Sequence, residues 1–167
     1  VRGQSLPAFA TDPLHNEGEV GGVSVSADGT LVAAGLHGDV VRVWESASGR
    51  ERFVLATPDG PAQAVAFNRA GTRIAAASGW SVYVWDASTG KELHRLKGHK
   101  AAVSAVCFSP DGSKLFTGAG EYPNVGELKI WDVESGKPLG TLPGHTSSVL
   151  AVCFNATGTR FATSTQG

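Results

Sequence analysis

Short apolar runs, each bounded by turn residues, recur along the whole chain. Trp44, Trp85 and Trp131 close three of these runs, VVRVWE, SVYVWD and ELKIWD, at spacings of 41 and 46 residues. A turn signal precedes each Trp: SADGT at Ser26–Thr30, NRAGT at Asn68–Thr72 and SPDGS at Ser109–Ser113. Another follows each: ESASGRE, DASTGKE and DVESGKP. A further copy opens at Pro143 with PGHTSSVLAVCFNATGTRFATS. Self-similarity at a fixed period marks a repeat architecture, with one supersecondary unit per copy.

Each unit predicts four strands. In the best-preserved copy these are strand a at Val103–Ser109, strand b at Lys114–Gly118, strand c at Glu127–Trp131 and strand d at Pro138–Leu142. VVRVW and SVYVW alternate with the period of a pleated strand, whereas strand a is apolar almost throughout, as a strand covered on both faces must be. Glycine in the a–b and c–d turns supplies the positive φ that a tight hairpin needs. No segment sustains a 3.6-residue period, so an all-β fold without helix is expected.

The strings GHKAAVSAVCFSPDG, LKIWD and GHTSSVLAVCF resemble the WD-repeat β-propeller family, with its Gly-His opening and Trp-Asp ending. The resemblance runs from about Val20 onward. It implies blades of four-stranded antiparallel sheets set radially. On this reading residues 1–10 are strand d of a preceding blade, 15–56 the first blade, 57–97 the second, 98–142 the third and 143–167 half of a fourth. RGQSLPAF at Arg2–Phe9 resembles the closing segments SGRERFVL and TGKELHRL. The tally is fifteen strands, one short of a closed four-bladed ring. An open arc is therefore expected, a piece of a longer protein whose missing blades come from the parent chain or from self-association. The absence of Met, even at the first position, agrees with this expectation.

The family's Gly-His histidine belongs to a buried hydrogen-bond network with a strand-b Ser/Thr, a b–c turn Asp and the strand-c Trp. The resemblance places His99, Thr117 and Trp131 in the third unit, with Asn124 or Glu127 near the Asp position. The fourth unit offers His145 with Ser164 or Thr163. The first has Trp44 and Asp39, with Asn16 near the His position and His15 beside it. The second has Trp85 and Ser78, but Pro58 replaces the His. His37 and His94 are expected to be solvated. In this family partners often dock on the face made by the b–c and d–a loops. Three consecutive b–c loops carry His37, Trp80 and Tyr122, the last inside the lengthened EYPNVGE segment. Trp80 either anchors a partner or covers the neighbouring blade.

Composition narrows the chemistry. The chain has 14 Lys+Arg against 15 Asp+Glu, a net charge of −1, which argues against nucleic-acid or anionic-membrane partners. No apolar run is long enough for a membrane helix, and no secretion signal is apparent, which favours the cytoplasm. Cys107 and Cys153 fall at equivalent places in two repeats and are expected to be buried free thiols, one unit apart. The sequon at Asn155 lies in an a–b turn and reads as coincidence. No Ser-His-Asp set, metal-ligand spacing or phosphate-binding loop is found. No catalytic residue, cofactor or metal is assigned. The expected function is a non-catalytic scaffold that binds a protein or peptide. The alternatives are a ligand-sensing or regulatory propeller attached to a larger, possibly bacterial, enzyme, or a propeller hydrolase with a channel-centred site.

Overall fold

The computed structural model describes residues 19–121 and 126–166. The expected strand at Arg2–Phe9 lies outside these residues. Fourteen strands are described, and no helix. β1 (Val20–Val25), β2 (Leu31–Leu36), β3 (Val40–Glu45) and β4 (Glu51–Ala56) form the first sheet, paired in chain order. β5 (Ala62–Phe67), β6 (Arg73–Ser78), β7 (Ser81–Asp86) and β8 (Glu92–Lys97) form the second. β9 (Val103–Phe108), β10 (Lys114–Ala119), β11 (Glu127–Asp132) and β12 (Pro138–Leu142) form the third. β13 (Val149–Phe154) and β14 (Phe161–Thr165) make a terminal hairpin. Every pairing is antiparallel between neighbours in sequence, and no sheet closes into a barrel, so the fold is an open all-β propeller arc.

The a–b turns reach one shape by different chemistry. In the first, Ser26 Oγ accepts the Leu31 N–H at 2.9 Å and donates to Asp28 Oδ1 at 2.6 Å. In the second, Asn68 Oδ1 accepts the N–H groups of Thr72 and Arg73 at 2.9 and 3.0 Å. Gly29, Gly71, Gly112 and Gly158 hold φ between 67° and 74°, a region that costs a side-chain-bearing residue about 1–2 kcal/mol.

The inner strands β1, β5, β9 and β13 lie successively against one another, and each sheet packs face to face with the next. Alternation in β6 makes this possible. Ile74 and Ala76 point toward the first sheet, joining Leu31, Val41, Val43 and Tyr83. Ala75 and Ala77 point the other way, toward Val103, Leu115 and Trp131 of the third sheet. The third sheet meets the hairpin through Phe116, Leu128, Val149 and Val152. Small residues set the approach. A Cβ at Gly118 would lie 2.6 Å from Val149 Cγ1, so β10 and β13 could not pack this closely with any other residue there.

Two expectations about exposure are corrected. Cys107 is half-buried, but Cys153 is exposed. Val152 and Phe154 turn toward the third sheet, and alternation sends Cys153 to the opposite face of the hairpin. His94 is half-buried instead of solvated. Its Nε2–H donates to Glu134 O at 3.0 Å, and its ring fills the space beside Gly136 in the next sheet's c–d turn.

Candidate binding surface

The b–c and d–a loops gather along one edge of the sheets and are tied together by backbone hydrogen bonds. Thr57 N–H donates to Asp39 O at 2.7 Å, and Val103 N–H donates to Gly79 O at 2.8 Å. Beneath this edge, each unit carries its own polar arrangement.

In the third sheet, Trp131 Nε1–H donates to Thr117 Oγ1 at 2.7 Å, and Thr117 Oγ1 lies 2.6 Å from His99 Nε2. His99 Nδ1 lies 2.8 Å from Glu127 Oε2, and Lys129 Nζ lies 2.8 Å from the other carboxylate oxygen. A carboxylate only accepts, so the His99 proton sits on Nδ1 and Nε2 accepts the Thr117 O–H. Glu127 thus stands where an Asp was sought; Asn124, the other possibility, lies outside the described residues. Burial pushes the His99 pKa below its ordinary value despite Glu127, so the ring is neutral near pH 7. Burial also opposes the charge of Glu127, but Lys129 and His99 outweigh it and keep this carboxyl below the usual range. The Thr–His–Glu order imitates a nucleophile, base and orienter. Thr117 is fully buried, however, and its oxygen already receives the indole N–H, so no substrate reaches it. The chain of bonds fixes the d–a loop to strands b and c.

The second sheet uses other groups. The position equivalent to Thr117 is Ala76, and Ser78 lies two residues further along. Ser78 is therefore not brought to Trp85. Its hydroxyl donates to Gly60 O at 2.6 Å, while Trp85 stacks on Tyr83 with centroids 5.6 Å apart. Asp59, one residue past the Pro58 that stands in place of His, gathers a clasp of its own. Tyr83 O–H donates to Asp59 Oδ2 at 2.8 Å, Arg95 Nε–H donates to the same oxygen at 2.9 Å, and Arg95 Nη2 pairs with Oδ1. The guanidinium lies over the Tyr83 ring, 5.3 Å from its centroid. Burial opposes ionisation of Asp59, but hydrogen bonds from Ser81, Arg95 and Tyr83 overcome it and bring its carboxyl down to about 2. Burial, then the bond to Asp59, pushes the Tyr83 phenol up to about 12. Sequence reading missed this clasp. The available signal was Tyr83 and Arg95 as cross-strand partners on one face.

The hairpin holds half of a network. His145 Nε2 is 3.0 Å from Thr163 Oγ1, and its buried Nδ1 has no partner among the described residues. Ser164, the other expectation, is exposed: Thr163 faces Val152 in register, as Thr117 faces Val106, and Ser164 falls on the other side of the pleat. In the first sheet the Thr position is Ala34, and Trp44 is buried beside Ala34, Leu36 and Val40. Asp39 is exposed at a positive φ of 57° in the turn, outside any buried network. His15 and Asn16 lie outside the described residues.

On the loop edge the three expected side chains differ. Trp80 is 59% exposed. His37 is exposed but tethered, its Nδ1–H donating to Glu19 O at 2.7 Å. Tyr122 lies outside the described residues. Elsewhere, Asn155 holds its own turn: Nδ2 donates to Thr157 and Thr159, both at 2.9 Å. Among the described residues no cluster of three His, Cys, Asp or Glu side chains could hold a metal ion, and no helix is long and apolar enough to cross a membrane.

The model of the WD domain, G-beta repeat, matches residues 10–45, 90–122 and 136–167, more than half of the chain. This chain belongs to the WD-repeat family. No curated protein matches it. WD repeats serve in general as scaffolds for protein interaction, and their domains are typically non-catalytic. Most of the second sheet falls between the matched regions; Pro58 stands where the His would be, and, as in the first sheet, an Ala occupies the Thr position.

Proposed function

We propose that this chain is a non-catalytic scaffold that captures a protein or peptide on its b–c and d–a loop edge, with Trp80 as the principal anchor. The supporting observation is the exposure of Trp80 on a two-residue turn held between buried strand ends. Gly79 and Trp80 are the two residues between β6 and β7, and the flanking Ser78 and Ser81 are buried. Large aromatic side chains on rigid supports contribute most at interfaces, because little freedom is lost when they are covered.

The test is Trp80→Ala. As an exposed substitution it should shift stability by less than about 0.5 kcal/mol. Peptides selected from a random display library on the full chain should lose measurable binding to the variant. A variant that folds like the parent and retains those peptides overturns the proposal. A variant that fails to fold assigns Trp80 to packing instead.

A further inference from the structure

The charges around Trp80 are arranged unevenly, and this narrows the kind of partner. A shallow recess of about 470 Å³ beside the indole is lined by Asp59, Ser81, Lys97, Gly98 and His99. Two of its three titratable groups are already engaged. Asp59 is saturated by Tyr83 and Arg95, and His99 is neutral within its buried network. Lys97 is different. It is exposed at the end of β8, opposite Ser81 in register, and has no ion-pair partner among the described residues. Among the described residues, one uncompensated ammonium therefore lines the recess with one exposed indole.

On the other side of Gly79 the sign reverses. The adjoining recess contains Gln63, Leu150 and Glu121, the last exposed. Gly79 is the ridge between the two. It is pinned by the Val103 N–H, and a Cβ there would lie 2.4 Å from Asp59 O.

We propose that the Trp80–Lys97 recess receives an acidic peptide segment, with a carboxylate paired to Lys97 Nζ and a neighbouring apolar side chain laid on the Trp80 ring. This rests on the scaffold reading above and adds the chemistry of the partner. A single lysine in a chain of net charge −1 forms no phosphate-tracking stripe, so a peptide fits better than a nucleic acid. Glu121 across the ridge sets a direction: the acidic residues of the segment lie on the Lys97 side, and those over Gln63 and Leu150 are neutral or basic.

The experiment is display selection of random peptides on the immobilised full chain, followed by affinity measurement of one enriched synthetic peptide. Enriched sequences should place Asp or Glu within a few positions of an aromatic residue or Leu. Lys97→Glu, an exposed change, should weaken that peptide about tenfold, and binding should fall as salt rises from roughly 50 to 500 mM. Peptides without acidic bias that bind Lys97→Glu equally but are lost on Trp80→Ala overturn this inference and leave the scaffold reading standing. Peptides indifferent to Trp80→Ala, or no enrichment at all, overturn both. Displacement of the peptide by an equimolar oligo-dT strand also overturns the assignment, in favour of a nucleic-acid surface.

Discussion

The second and third sheets have the same strand order, near-identical strand lengths and equivalent turn glycines, yet they secure their loops with different chemistry. The third relies on a buried, largely neutral relay from Trp131 through Thr117 to His99, closed by Glu127. The second has Ala76 where the hydroxyl would be and relies on a charged clasp, Asp59 with Arg95 and Tyr83, nearer the surface. The difference teaches that the β-scaffold does not need one particular polar network. In each of these two sheets a polar group ties the d–a loop to the strands, His99 to strands b and c and Asp59 to strands c and d, where unsatisfied polar atoms at a buried loop root would be costly. It also shows where repeats can drift: the second sheet falls largely between the regions matched to the family and is the one that carries Trp80.

The comparison can be broken most directly at Thr117. Thr117→Val keeps the shape but strands the buried Trp131 Nε1–H and leaves His99 Nε2 without its donor. A loss of about 2–3 kcal/mol is expected in chemical denaturation. A loss below about 0.5 kcal/mol would mean that the relay does not hold the third sheet. The corresponding change in the second sheet, Asp59→Ala, removes the acceptor of the buried Tyr83 hydroxyl but leaves the exposed Arg95 free to turn to water, so a smaller loss of about 1–2 kcal/mol is expected. If it costs more than Thr117→Val, the ranking of buried relay over surface clasp is reversed.

Acid provides the finest discrimination. The folded pKa of His99 is lowered, so its contribution is complete above the unfolded value of about 6.5 and declines as pH falls below it. The folded pKa of Asp59 is lowered to about 2, so its contribution is present above its ordinary value of 3.8 and is lost as pH falls through about 2. Hydrogen-exchange protection, corrected for intrinsic rates, should therefore begin to drop in β10 and β11 as pH falls below about 6.5, while β7 and β8 hold to below about pH 4. Simultaneous loss in both sheets would show that the two units do not respond separately.

Much of this was legible in the residues. The Trp spacing, the alternation of VVRVW and the turn glycines located the strands to within about a residue; β11 runs one residue beyond the predicted Trp131, to Asp132. The third unit's His99, Thr117 and Trp131 were named from the family pattern, and the structure brings them together. Where repeats had drifted, the pattern misled. Ser78 looked like a match to Thr117 because both are hydroxyls near the end of strand b, but register places it two residues away. Ser164 failed by one residue for the same reason. The Asp59 clasp was not found because its members come from a loop and two strands, with no local signature. Cys153 was assigned to the interior by analogy with Cys107, yet the two face different surroundings.

By itself, the sequence determined the repeat, the strands and the turns, because these depend on local alternation and on glycine at positions where φ must be positive. Tertiary structure decided which polar groups meet, since hydrogen bonds over a few ångströms depend on register and on the packing of separate sheets. It also decided that the exposed Trp80 lines one recess with Lys97, which has no ion-pair partner among the described residues, a juxtaposition that no stretch of consecutive residues encodes.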